Sequence, residues 1–169
     1  MTKKNMIIRD YTTNDAVEVG KLIAETYREF NLGFAVPEKV DKYLGPFRYA
    51  WSDDVENKQA IIQVLESPIF IIAEIDARIA GILRGRKERL ASLFVHKDFH
   101  RQGIGQKLVE YFEADSIVKG VHVIRLAATL YAVPFYLKVG YKKSTGLRSG
   151  WSFDGDGFIY QPMKKVLNR

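Results

Sequence analysis

The stretch Leu93 to Leu108, LFVHKDFHRQGIGQKL, constrains this chain more than any other part of it. An apolar run ends at Val95 and a polar segment containing Gly103 and Gly105 follows. A helix then begins, with Ile104, Leu108 and Phe112 on one face. A glycine-rich turn at a helix N-terminus exposes unpaired backbone N–H groups and the positive end of the helix dipole, which together bind phosphate. Glycine suits that turn because a Cβ would hold a phosphate away from the backbone. Two nucleotide motifs are excluded. No Gly-Lys-[Ser/Thr] occurs, so there is no Walker A loop. A dinucleotide fingerprint needs a third glycine, and from Gly103-x-Gly105 that position is Leu108. Taken alone, strand–GxG–helix is equally the pattern of a simple tight turn.

The surrounding chain places this segment in an alternating pattern. Asn5 to Asp10 reads as a strand, and Thr12-x-x-Asp15 as a capping box opening a helix. Ala16, Val19, Ile23, Tyr27 and Phe30 recur along one stripe of that helix. Gly33 and Pro37 break the pattern before a short helix from Glu38 to Tyr43. A third helix, from Asp53 to Glu66, turns Val55, Ile62 and Leu65 inward. Beyond Ser67-Pro68, Ile69 to Glu74 and Arg78 to Gly85 read as strands joined at Ile75-Asp76-Ala77, and Leu90 to Val95 as a third. After the Gly103–Val118 helix come a buried strand, Val121 to Ala128, and a helix from Leu130 to Val139 stopped by Gly140. Tyr141 opens a hairpin with a Gly- and Ser-rich loop, Thr145 to Gly157, and a return strand, Phe158 to Lys164. The order β-α-α-α-β-β-β-α-β-α-β-β predicts one α/β domain over residues 1–169, a mixed sheet with helices on its faces.

Composition narrows the function classes. With 47% apolar and 27% charged residues, the chain is globular in type, and its longest apolar runs, such as Ile69 to Ala73, are too short to span a bilayer. It contains no cysteine, which removes disulfides, thiolate metal sites and a thiol nucleophile. The first ten residues are basic but have no apolar h-region, so no signal peptide is visible and a cytoplasmic protein is expected. The net charge of +6 is spread, with short groups at Arg84-Gly85-Arg86-Lys87 and Lys142-Lys143. That charge fits an anionic cofactor, nucleic acid, or a solvated mixed surface. No nucleic-acid recognition motif accompanies it, so a nucleic-acid partner is not expected.

Two motifs in order and at matching spacing resolve the ambiguity of the glycine turn. Leu93-Phe94-Val95 precedes His100-Arg101-Gln102-Gly103-Ile104-Gly105. Further on stand Leu126-Ala127-Ala128 and Ala132-Val133-Pro134-Phe135-Tyr136-Leu137-Lys138-Val139-Gly140-Tyr141. From Phe70 to Lys164 the chain resembles the GNAT superfamily of acetyl-CoA-dependent N-acetyltransferases. The resemblance implies a mostly antiparallel sheet of six to seven strands, splayed between its fourth and fifth, with helices on both faces. It implies acetyl-CoA as co-substrate. The amides of Arg101, Gln102, Gly103, Ile104, Gly105 and Gln106 would bind its pyrophosphate. Pantetheine would lie along the strand of Leu93, Phe94 and Val95 like an added strand. The amide of Phe94 or Val95 would face the thioester oxygen. Tyr136 would protonate the leaving thiolate, after direct attack by an amine in a ternary complex. The acceptor would be a small-molecule or peptide amine, and the protein a monomer or homodimer.

The chain departs from the family pattern twice. His100 replaces the usual Gln or Arg beside the phosphates, and Ser92 stands where many members carry a glutamate that helps deprotonate the amine. Glu88, Glu74 or a water chain is then left as general base. A module that binds acyl-CoA without turnover is the alternative function.

Several residues keep two readings. Tyr136 near a helix end either acts or simply packs. His96 and His100 stand four apart but lie before the helix and lack an evident third ligand, so no metal is expected. His122 reads as a packed core histidine. Aromatic residues between Phe34 and Trp51 line an acceptor site or pack helices. With the Thr145–Gly157 loop they would enclose a cationic amine, drawn by Glu38, Asp41, Asp154 and Asp156.

Overall fold

Ile71, Ala73 and Leu83 pack against one side of a β-sheet, while Phe70, Ile72 and Ile82, their strand neighbours, pack against the other. A strand buried on both faces needs an unbroken apolar run, and Ile69-Phe70-Ile71-Ile72-Ala73 is one. The computed structural model describes residues 5–168. The basic opening residues Lys3 and Lys4, on which part of the leader reading rests, lie outside the described residues.

The strands are β1 (Met6–Asp10), β2 (Ile69–Ile75), β3 (Arg78–Arg86), β4 (Arg89–Val95), β5 (Val123–Thr129), β6 (Lys142–Lys143), β7 (Arg148–Ser152) and β8 (Gly155–Val166). They form one sheet in the order β1-β2-β3-β4-β5-β8-β6, with β7 on β8. Every pairing is antiparallel except β4 with β5. Asp76 and Ala77 close the β2–β3 hairpin at φ 49° and 61°. A left-handed pair of this kind matches the strands' own twist, and aspartate tolerates it well.

Helices α1 (Ala16–Thr26), α2 (Pro37–Leu44) and α3 (Val55–Leu65) cover one face, and α4 (Ile104–Val118) and α5 (Val133–Lys138) the other. Ala16, Val19 and Ile23 seat α1 on Ile72 and Ile82, as their spacing predicts. The Thr12 N–H donates to the Asp15 carboxylate at 2.9 Å, realising the capping box. On the opposite face Leu108 and Phe112 of α4 meet Leu83, Leu90 and Ile124. Among the described residues no helix is long and apolar enough to cross a membrane.

Four local expectations change. Val55 is 78% exposed rather than inward, because α3 begins there with Asp54 as its cap, accepting from the Glu56 and Asn57 N–H groups. His122 is exposed, since β5 starts one residue later. β5 itself is buried on one face only, through Ile124, Leu126 and Ala128, whereas Arg125 and Ala127 are open to solvent. The expected loop from Thr145 to Gly157 contains β7 and the start of β8, which brings the strand count among the described residues to eight. That hairpin leans on α2: the Tyr43 hydroxyl donates to the Asp156 carbonyl at 2.8 Å, and Lys39 pairs with the Asp156 carboxylate at 2.9 Å.

Candidate active site

Gly85 pairs with Leu90 and Arg84 with Ser92, which leaves Ala91 as an extra, unpaired residue of β4. A bulge of this kind bends a strand and sharpens its twist. Beyond it β4 parts from β5: they pair at Arg89 with Arg125 and at no further described position. The expected splay between fourth and fifth strands is present, and the bulge is its local cause.

Alternation of backbone groups decides what the splay offers. The His96 N–H donates to the Ala80 carbonyl at 2.8 Å, so even-numbered residues at this end of β4 point their polar groups toward β3. The Phe94 amide is therefore committed to the β3 ladder, and the N–H groups of Leu93 and Val95 face the gap. Of the two amides considered for the thioester oxygen, only Val95 is on the open side. The Val95 carbonyl is partnered: His100 Nε2 lies 2.7 Å from it, and the His100 ring packs on Phe30 at 4.8 Å. His100 thus ties the turn back to the strand.

Immediately beyond, Arg101 and Gly103 take left-handed φ of 58° and 78°. Left-handed residues interspersed in a turn converge successive N–H groups into an anion-binding concavity. α4 follows, its first turn closed by Lys107 N–H on the Gly103 carbonyl at 3.0 Å, so the amides up to Gln106 precede the helical ladder. A Cβ on Gly103 would meet no atom within 4 Å. The constraint there is the backbone angle and an open approach from outside. Gly105 differs: its Cβ would sit 3.3 Å from the Phe135 ring, so this glycine lets α4 close on α5. Leu93 to Val95, the turn and the start of α4 thus form one continuous surface. The Gln102 side chain turns away onto the Asp98 carbonyl at 3.1 Å.

Tyr136, on α5, is 5% exposed and stacks edge-on with Tyr141 at 5.7 Å. Its hydroxyl hydrogen-bonds to nothing among the described residues, and burial pushes it well above the usual phenol range. It lines a cleft of about 400 Å³ that runs along the splay. Ser92 and Phe94 form the floor and Ile23, Tyr27 and Asn31 one wall. Trp151 and Ser152 of β7, with Phe153 in the turn after it, form the other. Ser152 donates to the Tyr43 carbonyl at 2.9 Å and so accepts from the Tyr27 hydroxyl at 2.8 Å, while burial raises the Tyr27 hydroxyl to about 12. The Thr129 hydroxyl donates to the Asn31 side-chain oxygen, joining β5 to the π-helical turn (Tyr27–Asn31) that ends α1.

The polarity of the cleft differs from expectation. Among the described residues its lining includes Arg84 and Arg89 and no carboxylate. Arg84 donates to the Val64 carbonyl at 2.8 Å and to Ser92 Oγ at 3.0 Å, and its buried Nε has no partner among the described residues. Glu74 pairs with Arg9 across β1 and β2, and Glu88 sits in the β3–β4 turn, so neither general-base candidate reaches the cleft. Asp41 pairs with Arg28 at 3.6 Å and Asp156 with Lys39, both away from the lining, as are Glu38 and Asp154. The Phe34–Trp51 segment contributes Phe47 instead. His96 accepts from the Asp98 N–H at 3.2 Å, and the described residues contain no group of three or more metal-ligating side chains.

Tyr27, Asn31, Arg84, Arg89 and Ser152 enter the site without a motif to announce them. The π-helical turn, the bulge and the folding of β7 bring them together, and none of these has a local sequence signature. The group Arg84-Gly85-Arg86-Lys87 was visible, but its facing was not.

A family model described as the acetyltransferase (GNAT) domain matches residues 31–167. No curated protein matches the sequence. The fold is similar to a GCN5-related N-acetyltransferase from Rhodopseudomonas palustris, at TM-score 0.78 and 19% identity over 99% of each chain. It is similar to the PaiA N-acetyltransferase of Thermoplasma acidophilum, solved with coenzyme A, at TM-score 0.69 and 19% identity, covering 96% of this chain and 99% of that one. YncA of Salmonella typhimurium, solved with its cofactor acetyl-CoA, matches at TM-score 0.60 and 18% identity, covering 98% and 95%.

Proposed function

Because the chain belongs to the GNAT acetyltransferase family, we propose that it transfers the acetyl group of acetyl-CoA directly to a primary amine within a ternary complex. The observation that carries this reading is the splay: an open strand edge runs from Leu93 and Val95 straight into the amide-rich turn at Gly103, with Tyr136 beside it. Acetyl-CoA supplies an acetyl group activated as a thioester. The amides from Arg101 to Gln106 hold its pyrophosphate at the helix N-terminus. Leu93 and Val95 N–H groups pair with pantetheine as a neighbouring strand would, and one of them polarises the thioester oxygen. Tyr136 keeps a proton on its hydroxyl oxygen for the departing thiolate, and burial ensures that the phenol stays protonated.

The experiment is calorimetric. Gly103→Glu places a side chain and a negative charge in the anion-binding turn, and acetyl-CoA affinity is expected to fall by at least about a hundredfold. Unchanged affinity with an intact circular dichroism spectrum overturns the placement. The lack of a carboxylate in the cleft favours one other reading, an acyl-CoA-binding module without turnover. Free thiol released with an amine panel separates the two.

A further inference from the structure

Register places like charges side by side across the sheet. Arg86 of β3 pairs with Arg89 of β4, Arg89 with Arg125 of β5, Arg125 with Lys164 of β8, and Lys164 with Lys142 of β6. Residues paired in register share a face, and strands lie about 4.8 Å apart. Five basic side chains therefore stand in one row on the face opposite Leu126 and Met163, and all five are exposed. None of them makes an ion pair among the described residues, although Glu88 stands in the adjoining β3–β4 turn. Directly opposed like charges destabilise a sheet, so the row costs folding energy. Arg89 lines the cleft, and Arg84, two residues before Arg86 on the same face of β3, lines it too.

We infer that the acceptor is an amine carrying an anionic group, a carboxylate or a phosphate, seated on Arg89 and Arg125 with its amino group in the cleft. The inference rests on the acetyl-transfer reading and specifies its substrate. Arginine binds either oxyanion through paired N–H donors, and the row compensates the charge that an amine of this class brings. The same charges address the missing base. The groups facing the amine are Arg84, Arg89, Tyr27, Tyr136 and Tyr160, with Arg125 beyond them, and no carboxylate. Nearby positive charge disfavours an ammonium, so a bound amine sheds its proton to solvent more readily than it does free. Transfer then forms the N–C bond and breaks the C–S bond, and the proton lost by the amine balances the one gained by sulfur.

The test follows CoA release from acetyl-CoA with matched amines: α-amino acids, their amides, O-phosphoethanolamine, ethanolamine and a linear polyamine. Acids or phosphoethanolamine are expected to exceed their neutral partners by about tenfold or more in kcat/KM, and which of the two leads identifies the oxyanion. Arg89→Gln is expected to raise KM for the anionic amines by about tenfold, to leave that for amides within about twofold, and to move the acid limb of kcat to higher pH. Arg125→Gln, at an exposed position, repeats the KM effect, while Lys58→Gln, at an exposed position of α3, changes neither. Preference for amides or for the polyamine overturns the anionic acceptor and leaves acetyl transfer standing. Acetyl-CoA binding without CoA release for any amine overturns the transfer reading, and this inference with it.

Discussion

One oxygen separates tyrosine from phenylalanine, and at Tyr136 that atom is the only part of the side chain with a chemical task in the proposed reaction. The ring is packed against Phe135 and Tyr141, so Tyr136→Phe preserves the packing and removes only the proton. Turnover is expected to fall by roughly a hundredfold while acetyl-CoA affinity, measured by calorimetry, stays put. Wild-type turnover in the variant would make the residue a packing element. The sign of the pH dependence follows from burial. A phenol whose pKa is raised holds its proton beyond the pH at which a free tyrosine ionises. The alkaline limb of kcat is therefore expected to stay level up to about pH 10, and a decline centred well below that would exclude Tyr136 as the donor. Arg84 contrasts with it. Two of its donors are fixed on Val64 and Ser92, while burial pulls its pKa below the ordinary arginine value, and it remains a cation in the cleft wall.

At the scale of elements, the site depends on how the β7–β8 hairpin seats on α2. A Cβ at Gly155 would come within 2.2 Å of a Tyr43 ring carbon, and one at Gly45 within 2.4 Å of a Phe153 ring carbon. The Tyr43 ring cannot yield easily, since it is buried and held through the Asp156 carbonyl. Gly155→Ala is expected to lower stability by about 1–3 kcal/mol, read from the urea midpoint. Because Trp151 and Ser152 move with the hairpin, acceptor KM is expected to rise as well, with acetyl-CoA affinity unchanged. A variant with wild-type stability and acceptor KM would mean that the hairpin is not the acceptor wall. The bulge at Ala91 works in the opposite sense, separating two strands where the hairpin brings two elements together.

Across the molecule, apolar cores lie on both sides of the sheet, and the cleft opens where the helices of one face stop. α1 and α3 cover β2 to β4, and past β4 the same face carries Arg125, Lys164 and Lys142 in the open. Exposed charges are screened within about 10 Å at 0.1 M salt. Raising salt from about 20 mM to about 500 mM is therefore expected to increase KM for an anionic amine several-fold and to leave a neutral analogue nearly unaffected. A salt response shared by both amines would place the effect on acetyl-CoA instead.

Local patterns were enough for the elements, including the strand, turn and helix that carry the proposed acetyl-CoA half of the site. The period of Ala16, Val19 and Ile23, the Asp76 turn and Gly103 at the start of α4 act through near neighbours in the chain, and each gave the structure it predicts. The order of Leu93-Phe94-Val95, Gly103-x-Gly105 and Phe135-Tyr136 carried the family resemblance, because their spacing in the chain maps directly onto one strand edge and two helix starts. The acceptor half was not legible. Glu74, Asp41 and Asp156 are acidic at plausible positions, yet each is drawn to a cation elsewhere: Arg9, Arg28 and Lys39. Which face a charge occupies, and what stands opposite it, depends on the register between strands distant in sequence. One residue of bulge or slip reverses that outcome. Arg86, Arg89, Arg125, Lys164 and Lys142 look scattered along the chain, and only strand pairing makes them a row.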